Sequence, residues 1–502
     1  MRPTEPRSRA ILPILAVAGL LAASGIGWSL LNLGRVPHYG DTVEYLRLSR
    51  GRGVDAFRGP LYPALLRIVD GLDGSPRFPR HLAWETPRAM ARLPCAAPRI
   101  LTTLQIFQIL VGIGAVAWFV RSFAALDLLA PRLGRRATAA SGAALVGALA
   151  FDPLVAHFQL SILTDGLCLS ASLVACAALA RVALADAPRL RTALLLFFAV
   201  LVAASLRPEK GWVWLGTALA SVVVWRFSGA GTRWGHALAI GATAAAVVGT
   251  LLWHRAVHEE RGRWDLYTTV LNQRVIHPHL ASIRGDLSPE TQRLLSPEAA
   301  ALYDARIHNT WRVVNEITRS DPERRSALTE ELAVAALRRH AGRIAADSVS
   351  DLAEHAIATP SWYGRLVAWA LEGAPVAAYR RHSEMTPRTW AALADHRPGP
   401  SLVLGVFAGA IFLAATLLAI VACLRRSRWL REVLQPRWVP VFAFALGNAA
   451  VFSFTADLVH IRYALFAHVA CLLLAYRGAL EWAAARTSPL SRPAGTSGSP
   501  RP

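Results

Sequence analysis

Lysine is almost missing from this chain: Lys210 is the sole example, and arginine supplies the rest of the 54 basic residues set against 33 acidic ones. Charge as a whole is scarce, at 17% of 502 residues, whereas 54% are hydrophobic and the mean hydropathy is +0.35. That shortage excludes a solvated or disordered chain and is the composition of a membrane protein. Cysteine is rare too. Of the five, at 95, 168, 176, 423 and 471, four fall in apolar runs, where a thiol behaves as a small core residue, so no disulfide framework is expected. No internal repeat is visible. "HPH" at 277 to 279, with His308, lacks the spacing of a metal site and reads as ordinary outer-loop histidine. A divalent metal stays open as a cofactor, and no other is expected.

What the chain has instead is long apolar runs. They fall near residues 11–33, 100–120, 138–158, 161–181, 193–206, 211–227, 236–253, 400–424, 438–455 and 463–480. A bilayer core takes roughly 20 apolar residues per helix, so the expectation is an all-α polytopic membrane protein with about ten transmembrane helices. The first run is read as a retained anchor rather than a cleaved signal, since no small-residue cleavage site follows it. The formal net charge of +21 would draw nucleic acid, but the arginines cluster in short loops between apolar runs, where they set topology and meet anionic lipid headgroups. Membrane lipids are therefore expected partners and nucleic acid is not.

Six short arginine-rich segments, from "MRPTEPRSR" to the tail "RTSPLSRPAGTSGSPRP", fall on one side of the ten crossings and mark it as cytoplasmic. The domain reading follows. Residues 1–253 form a transmembrane core with a first outer loop at 34–99, residues 254–399 a mostly helical extracytoplasmic insertion, 400–483 the last membrane helices and 484–502 a disordered cytoplasmic tail. In the outer loop, "FRGPLYPALLRIV" is too short to span and starts at Pro60 and Pro63, so a re-entrant or interfacial helix is expected there. In the insertion, "SALTEELAVAALRRHAGRIAADSVSDLAEHAI" has the three-and-four spacing of an amphipathic helix.

This topology, drawn from arginines alone, puts Asp41, Glu44, Asp165, Arg207, Glu209, Lys210, Asp457, His460 and Arg462 at the outer side. Ionisable residues at membrane depth are costly and by default mark a functional cavity. A partly desolvated carboxylate near a cation serves as a general base or metal ligand. Arg207, Lys210 and Arg462 are the complement, fixed cations that hold a phosphate and stabilise its departing charge. Together they describe group transfer from a phosphorylated lipid carrier. The rivals are a polytopic transporter or flippase of lipid-linked sugars, which should carry charged or broken helices near mid-membrane, and a non-catalytic envelope-assembly protein.

The combination of "GDTVEYLRL", "RGPLYPALL", "LSILTDGLCLSASLVACAALA", "SLRPEKGWVW" and "HIRYALFAHVACLLLA" resembles the GT-C superfamily of integral-membrane glycosyltransferases, in the protein O-mannosyltransferase and aminoarabinose transferase branch. The resemblance implies transfer of a sugar, with inversion, from a polyprenyl phosphate sugar to a lipid, glycan or protein acceptor. It implies Asp41 as the first-loop catalytic acid residue, with Glu44, three residues on, as the alternative base. Asp165 matches the acidic residue at the start of the fourth helix, and Arg207 and Arg462, with Lys210 beside them, the lipid-phosphate region. Tyr45, Arg58, Tyr62, Glu209, His460 and Tyr463 follow as further substrate contacts. Apart from the resemblance, the tryptophans read as interface anchors or core, with sugar or lipid stacking the alternative for Trp362, Tyr363 and Trp369. With the arginine-rich, lysine-poor composition typical of high-GC coding, the resemblance points to a multi-pass protein of a bacterial inner membrane whose site faces outward.

Overall fold

A helix that is apolar on every side has no face to offer water, so it must lie inside. The segment Asp165–Leu184, here α6, is such a helix, and it forms the hub of the protein in a computed structural model that describes residues 11–33, 45, 48–49, 59–73, 99–124, 134–161, 164–258, 271–295, 322–372, 435–455 and 461–486. Its small residues, among them Gly166, Ser170, Ala175 and Ala178, let α3 (Arg99–Phe123), α7 (Leu190–Leu206) and α9 (Arg233–His258) close around it. Before it come α1 (Leu12–Asn32), α2 (Leu61–Asp73), α4 (Arg135–Ala150) and α5 (Pro153–Leu160), and α8 (Glu209–Phe227) lies between α7 and α9. Two later helices, α13 (Val439–Thr455) and α14 (Ile461–Arg486), complete the bundle.

Among the described residues there is no strand. Three helical segments are long and apolar enough to cross a membrane, Thr103–Phe123, Asp165–Leu184 and Arg233–Trp253, and the bent pair α4–α5 makes a fourth if taken as one span. Of the remaining apolar stretches read from the sequence, five are covered by α1, α7, α8, α13 and α14, and the one at 400–424 lies outside the described residues. Six buried hydroxyls behave as an apolar surround demands. Ser24, Ser141, Ser170, Thr217, Thr243 and Thr250 each donate to the carbonyl one turn back in their own helix.

The short helix expected at "FRGPLYPALLRIV", re-entrant or interfacial, falls on α2. At 13 residues it is about 20 Å long, too short to span, and Tyr62, Leu66 and Val69 form its buried face. Gly59, just before it, lies so close to the last turn of α7 that a methyl group there would run into the Ser205 carbonyl. Arg67 on the opposite side donates to the Ser49 and Leu48 carbonyls at 2.6 and 3.0 Å, tying the segment that follows α1 to α2.

A second, separate core lies in the insertion. Val275, Ile276, Leu280, Ile283, Leu287 and Leu295 pack against Leu328, Leu332, Ala333 and Ala336 of α12 (Pro322–Glu372). At 51 residues α12 is about 77 Å long, far beyond its amphipathic stretch, and it also packs on α13 and α14.

Candidate functional site

The sequence "SLRPEKG" ends one helix and starts another. Pro208 cannot donate a backbone hydrogen bond and presets its own φ, so α7 stops at Leu206, Arg207 turns out into extended backbone and α8 begins at Glu209. Freed from both helices, the Arg207 guanidinium spans two carboxylates. One edge donates to Asp165 Oδ1 at 2.6 Å and Nε donates to Glu209 Oε1 at 2.7 Å. Asp165 opens α6 and Glu209 opens α8, so each carboxylate sits at the positive end of a helix dipole. The Lys210 ammonium, one residue on, donates to the side-chain oxygen of Asn448 on α13. The cluster thus joins three helix ends and a fourth helix, and its two cations balance its two carboxylates. The Asp165 side chain is 4% exposed and Arg207 15%, so their attraction acts largely outside water.

Beside the cluster is a hydroxyl and amide network. The Tyr45 hydroxyl lies 3.3 Å from that of Thr164, the cap residue of α6, and its ring meets Tyr62 edge-on at 5.1 Å. Tyr62 donates to Gln108 Oε1 at 3.2 Å. Gln108 donates in turn to the Gln159 carbonyl at 2.6 Å and the Ser161 carbonyl at 3.2 Å, while Gln105 donates to the Leu160 carbonyl at 2.7 Å. The end of α5 is buried and its last carbonyls have no partner within the helix, so two glutamines of α3 satisfy them.

Below this, α4 and α5 bend by 54° at Phe151–Asp152, where the sequence reading has one continuous span. The carbonyl of Phe151 lies against α1 at Gly25, where a methyl group would strike it. Asp152 caps α5 by accepting from the Leu154 and Val155 amides at 3.0 and 3.4 Å. The same oxygen lies 2.9 Å from His468 Nε2 of α14, and both side chains are fully buried.

Of the residues singled out from the sequence, Asp165, Arg207, Glu209 and Lys210 therefore meet, with Tyr45 and Tyr62 alongside. Arg462 and Tyr463 stand in the first turn of α14, as backbone. Asp41, Glu44, Arg58, Asp457 and His460 lie outside the described residues, as do the side chains of Trp362, Tyr363 and Trp369. Sequence reasoning missed Asn448, Gln105, Gln108, Asp152 and His468. All but His468 left a signal: a lone amide in an apolar helix, two glutamines three apart in another, and an Asp-Pro step inside an apolar run.

The insertion holds its own polar contacts. Arg274, 3% exposed, donates to Asp351 Oδ2 at 2.6 Å and to Ser348. His279 stacks on His340 with ring centres 4.4 Å apart, and the ring nitrogen of His340 lies 2.8 Å from the Ser282 hydroxyl. Burial, with the nearby His340 and Arg343, holds His279 below its ordinary pKa. Burial opposes charge on Glu331 as well, but hydrogen bonds from Thr291 and Ser288 outweigh it and keep that carboxyl below its usual range. No group of His, Cys, Asp and Glu suited to a metal ion occurs among the described residues.

Compared with protein-family models, with curated proteins and with solved structures, the chain matches none.

Proposed function

We propose that the ten apolar stretches cross a bacterial inner membrane, and that the chain is an inverting glycosyltransferase moving a sugar from a polyprenyl phosphate sugar to a lipid, glycan or protein acceptor at the outer face. The observation that carries this reading is the meeting of Asp165, Arg207, Glu209 and Lys210 at converging helix ends, beside a short helix that does not span. In the proposed step the acceptor hydroxyl gives its proton to Asp41, or to Glu44 if that is the base. Its oxygen bonds to the anomeric carbon, and the bond from that carbon to the phosphate oxygen breaks with its electron pair on the phosphate. The phosphate leaves as an anion, so no separate acid is needed where cations receive it. Arg207 is held between two carboxylates, so a donor phosphate engages it by displacing one of them. Asp165, released in that exchange, orients the acceptor. Arg462 completes the clamp.

The test is transfer of radiolabelled sugar from a panel of polyprenyl phosphate sugars in native membrane vesicles. Label should reach a lipid or polymer fraction with the intact protein and not with Asp41→Asn. Full transfer by Asp41→Asn would move the base to Glu44, and no transfer from any donor would sink the enzyme reading. A second reading, translocation of a lipid-linked sugar, is favoured by the buried Asp152–His468 pair at a helix break, since charges and broken helices at membrane depth mark transport pathways. The same vesicles separate the two, because translocation leaves the label on its original lipid.

A further inference from the structure

The reaction proposed above makes no use of Asp152 and His468, yet the chain keeps both fully buried, His468 Nε2 2.9 Å from Asp152 Oδ1. Charge at such depth costs several kcal/mol per ion unless it is paired, and removing one partner strands the other. Tyr476, two turns on in α14, lies close enough to Asp152 to feel its charge. Neither α1 nor α13 has an ionisable side chain, and α3 has only Arg99 and Arg121, near its two ends. Asp152 Oδ1 gathers three donors, the Leu154 and Val155 amides that start α5 and the imidazole of α14. One atom therefore joins the start of α5 to a helix far away in sequence.

The place of this joint along each element is informative. From Asp152 the chain runs the eight residues of α5 and arrives, just past its end, at Thr164 and Asp165. From His468 it runs back along α14 to Arg462 in the first turn. At 1.5 Å per residue α5 is about 12 Å long and the stretch of α14 from His468 back to Arg462 about 9 Å, and in the crossing order read from the sequence both run toward the same face.

We propose that Asp152 and His468 are a positioning pair that pins α14 to the α4–α5 break at one height, bringing Arg462 level with Asp165, Arg207 and Glu209. The proposal rests on the reading of that cluster as a donor phosphate site. Neither residue touches the reacting atoms; they act by fixing where a cation stands.

The experiment uses the full chain in lipid nanodiscs carrying a polyprenyl phosphate of defined length, with binding and hydrogen exchange measured together. Asp152→Ala and His468→Ala should each weaken lipid-phosphate binding about tenfold, and the double variant should be no weaker than the worse single one, because the two act as a unit. Asp152→Asn and His468→Gln keep an acceptor and a donor at the joint, so both should retain affinity within about threefold; these variants also serve where an alanine variant does not fold. Hydrogen exchange should rise in the first turns of α14 in the alanine variants and stay unchanged in α6 and α7. Wild-type affinity in a folded alanine variant, additive losses, or failure of the conservative variants to retain binding would overturn the proposal. If the unsubstituted protein binds no polyprenyl phosphate, the phosphate-site reading fails. The positioning claim is then decided by exchange alone, and unchanged exchange at the start of α14 defeats it.

Discussion

Among the described residues, Arg274 and Arg207 both form ion pairs largely shielded from water, and they are held in different ways. Arg274, in the insertion, meets Asp351 and Ser348 from α12. Arg207, in the helical core, sits between Asp165 and Glu209, each at the start of a different helix. The first arrangement fastens a short helical segment to a long helix. The second gathers helix ends and gives one cation two anionic partners. Under the proposed function the second receives an incoming anion, whereas the first serves as a joint.

The comparison breaks most visibly by removing each arginine in turn. Arg207→Ala should lower transfer by about 10²–10³-fold, the loss typical of one charge-stabilising donor. Arg274→Ala should leave transfer within about threefold in protein that remains folded, while destabilising the insertion by about 1–3 kcal/mol through the lost bonds to Asp351 and Ser348. Vesicle transfer and thermal unfolding of both variants check this, and equal loss of transfer would erase the distinction.

A glycine pair sharpens it on the packing side. Gly59→Ala forces a methyl group into the Ser205 carbonyl beside Arg207, and should cost about 1–3 kcal/mol and reduce transfer. Gly285→Ala in the insertion meets nothing within 4 Å and should change stability by less than about 0.5 kcal/mol. Unfolding temperatures of the two variants test it, and a neutral Gly59→Ala would show that α2 does not depend on that approach.

The smallest effect expected is with pH. His279 folded resists a proton that the unfolded chain accepts below about pH 6.5, so its contribution is complete above that value and is lost as pH falls below it. Glu331 folded keeps its charge to lower pH than an unfolded glutamate, so its contribution is present above about pH 4.3 and is lost as pH falls through its lower folded value. Both work in one direction. Protection factors, that is exchange corrected for its intrinsic pH dependence, should fall between pH 7.5 and 5 in residues 271–295 and 322–351 and not in α6; equal change in the two regions would contradict the assignment.

Much of the helical layout was legible beforehand. Apolar length marked the stretches now occupied by α1, α3, α7, α8, α9, α13 and α14, and proline marked the start of α2. The meeting of Asp165 with Arg207 was suggested by topology, because loop arginines put both at the same end. The bend at Asp152 was read through as one span, although Asp-Pro stood in the run, because mean apolarity over some 20 residues hides a single break.

Composition and periodicity thus determined by themselves that this chain is helical, apolar and punctuated at "RGP" and "RPEKG", because burial of apolar surface and the missing amide of proline act locally. Only the tertiary structure decided that Arg207 answers to two carboxylates, that Lys210 reaches Asn448 and that Asp152 finds His468. Those partners stand 42 and 2, 238 and 316 residues apart, and pairing over such distances is set by which helix ends come to the same depth.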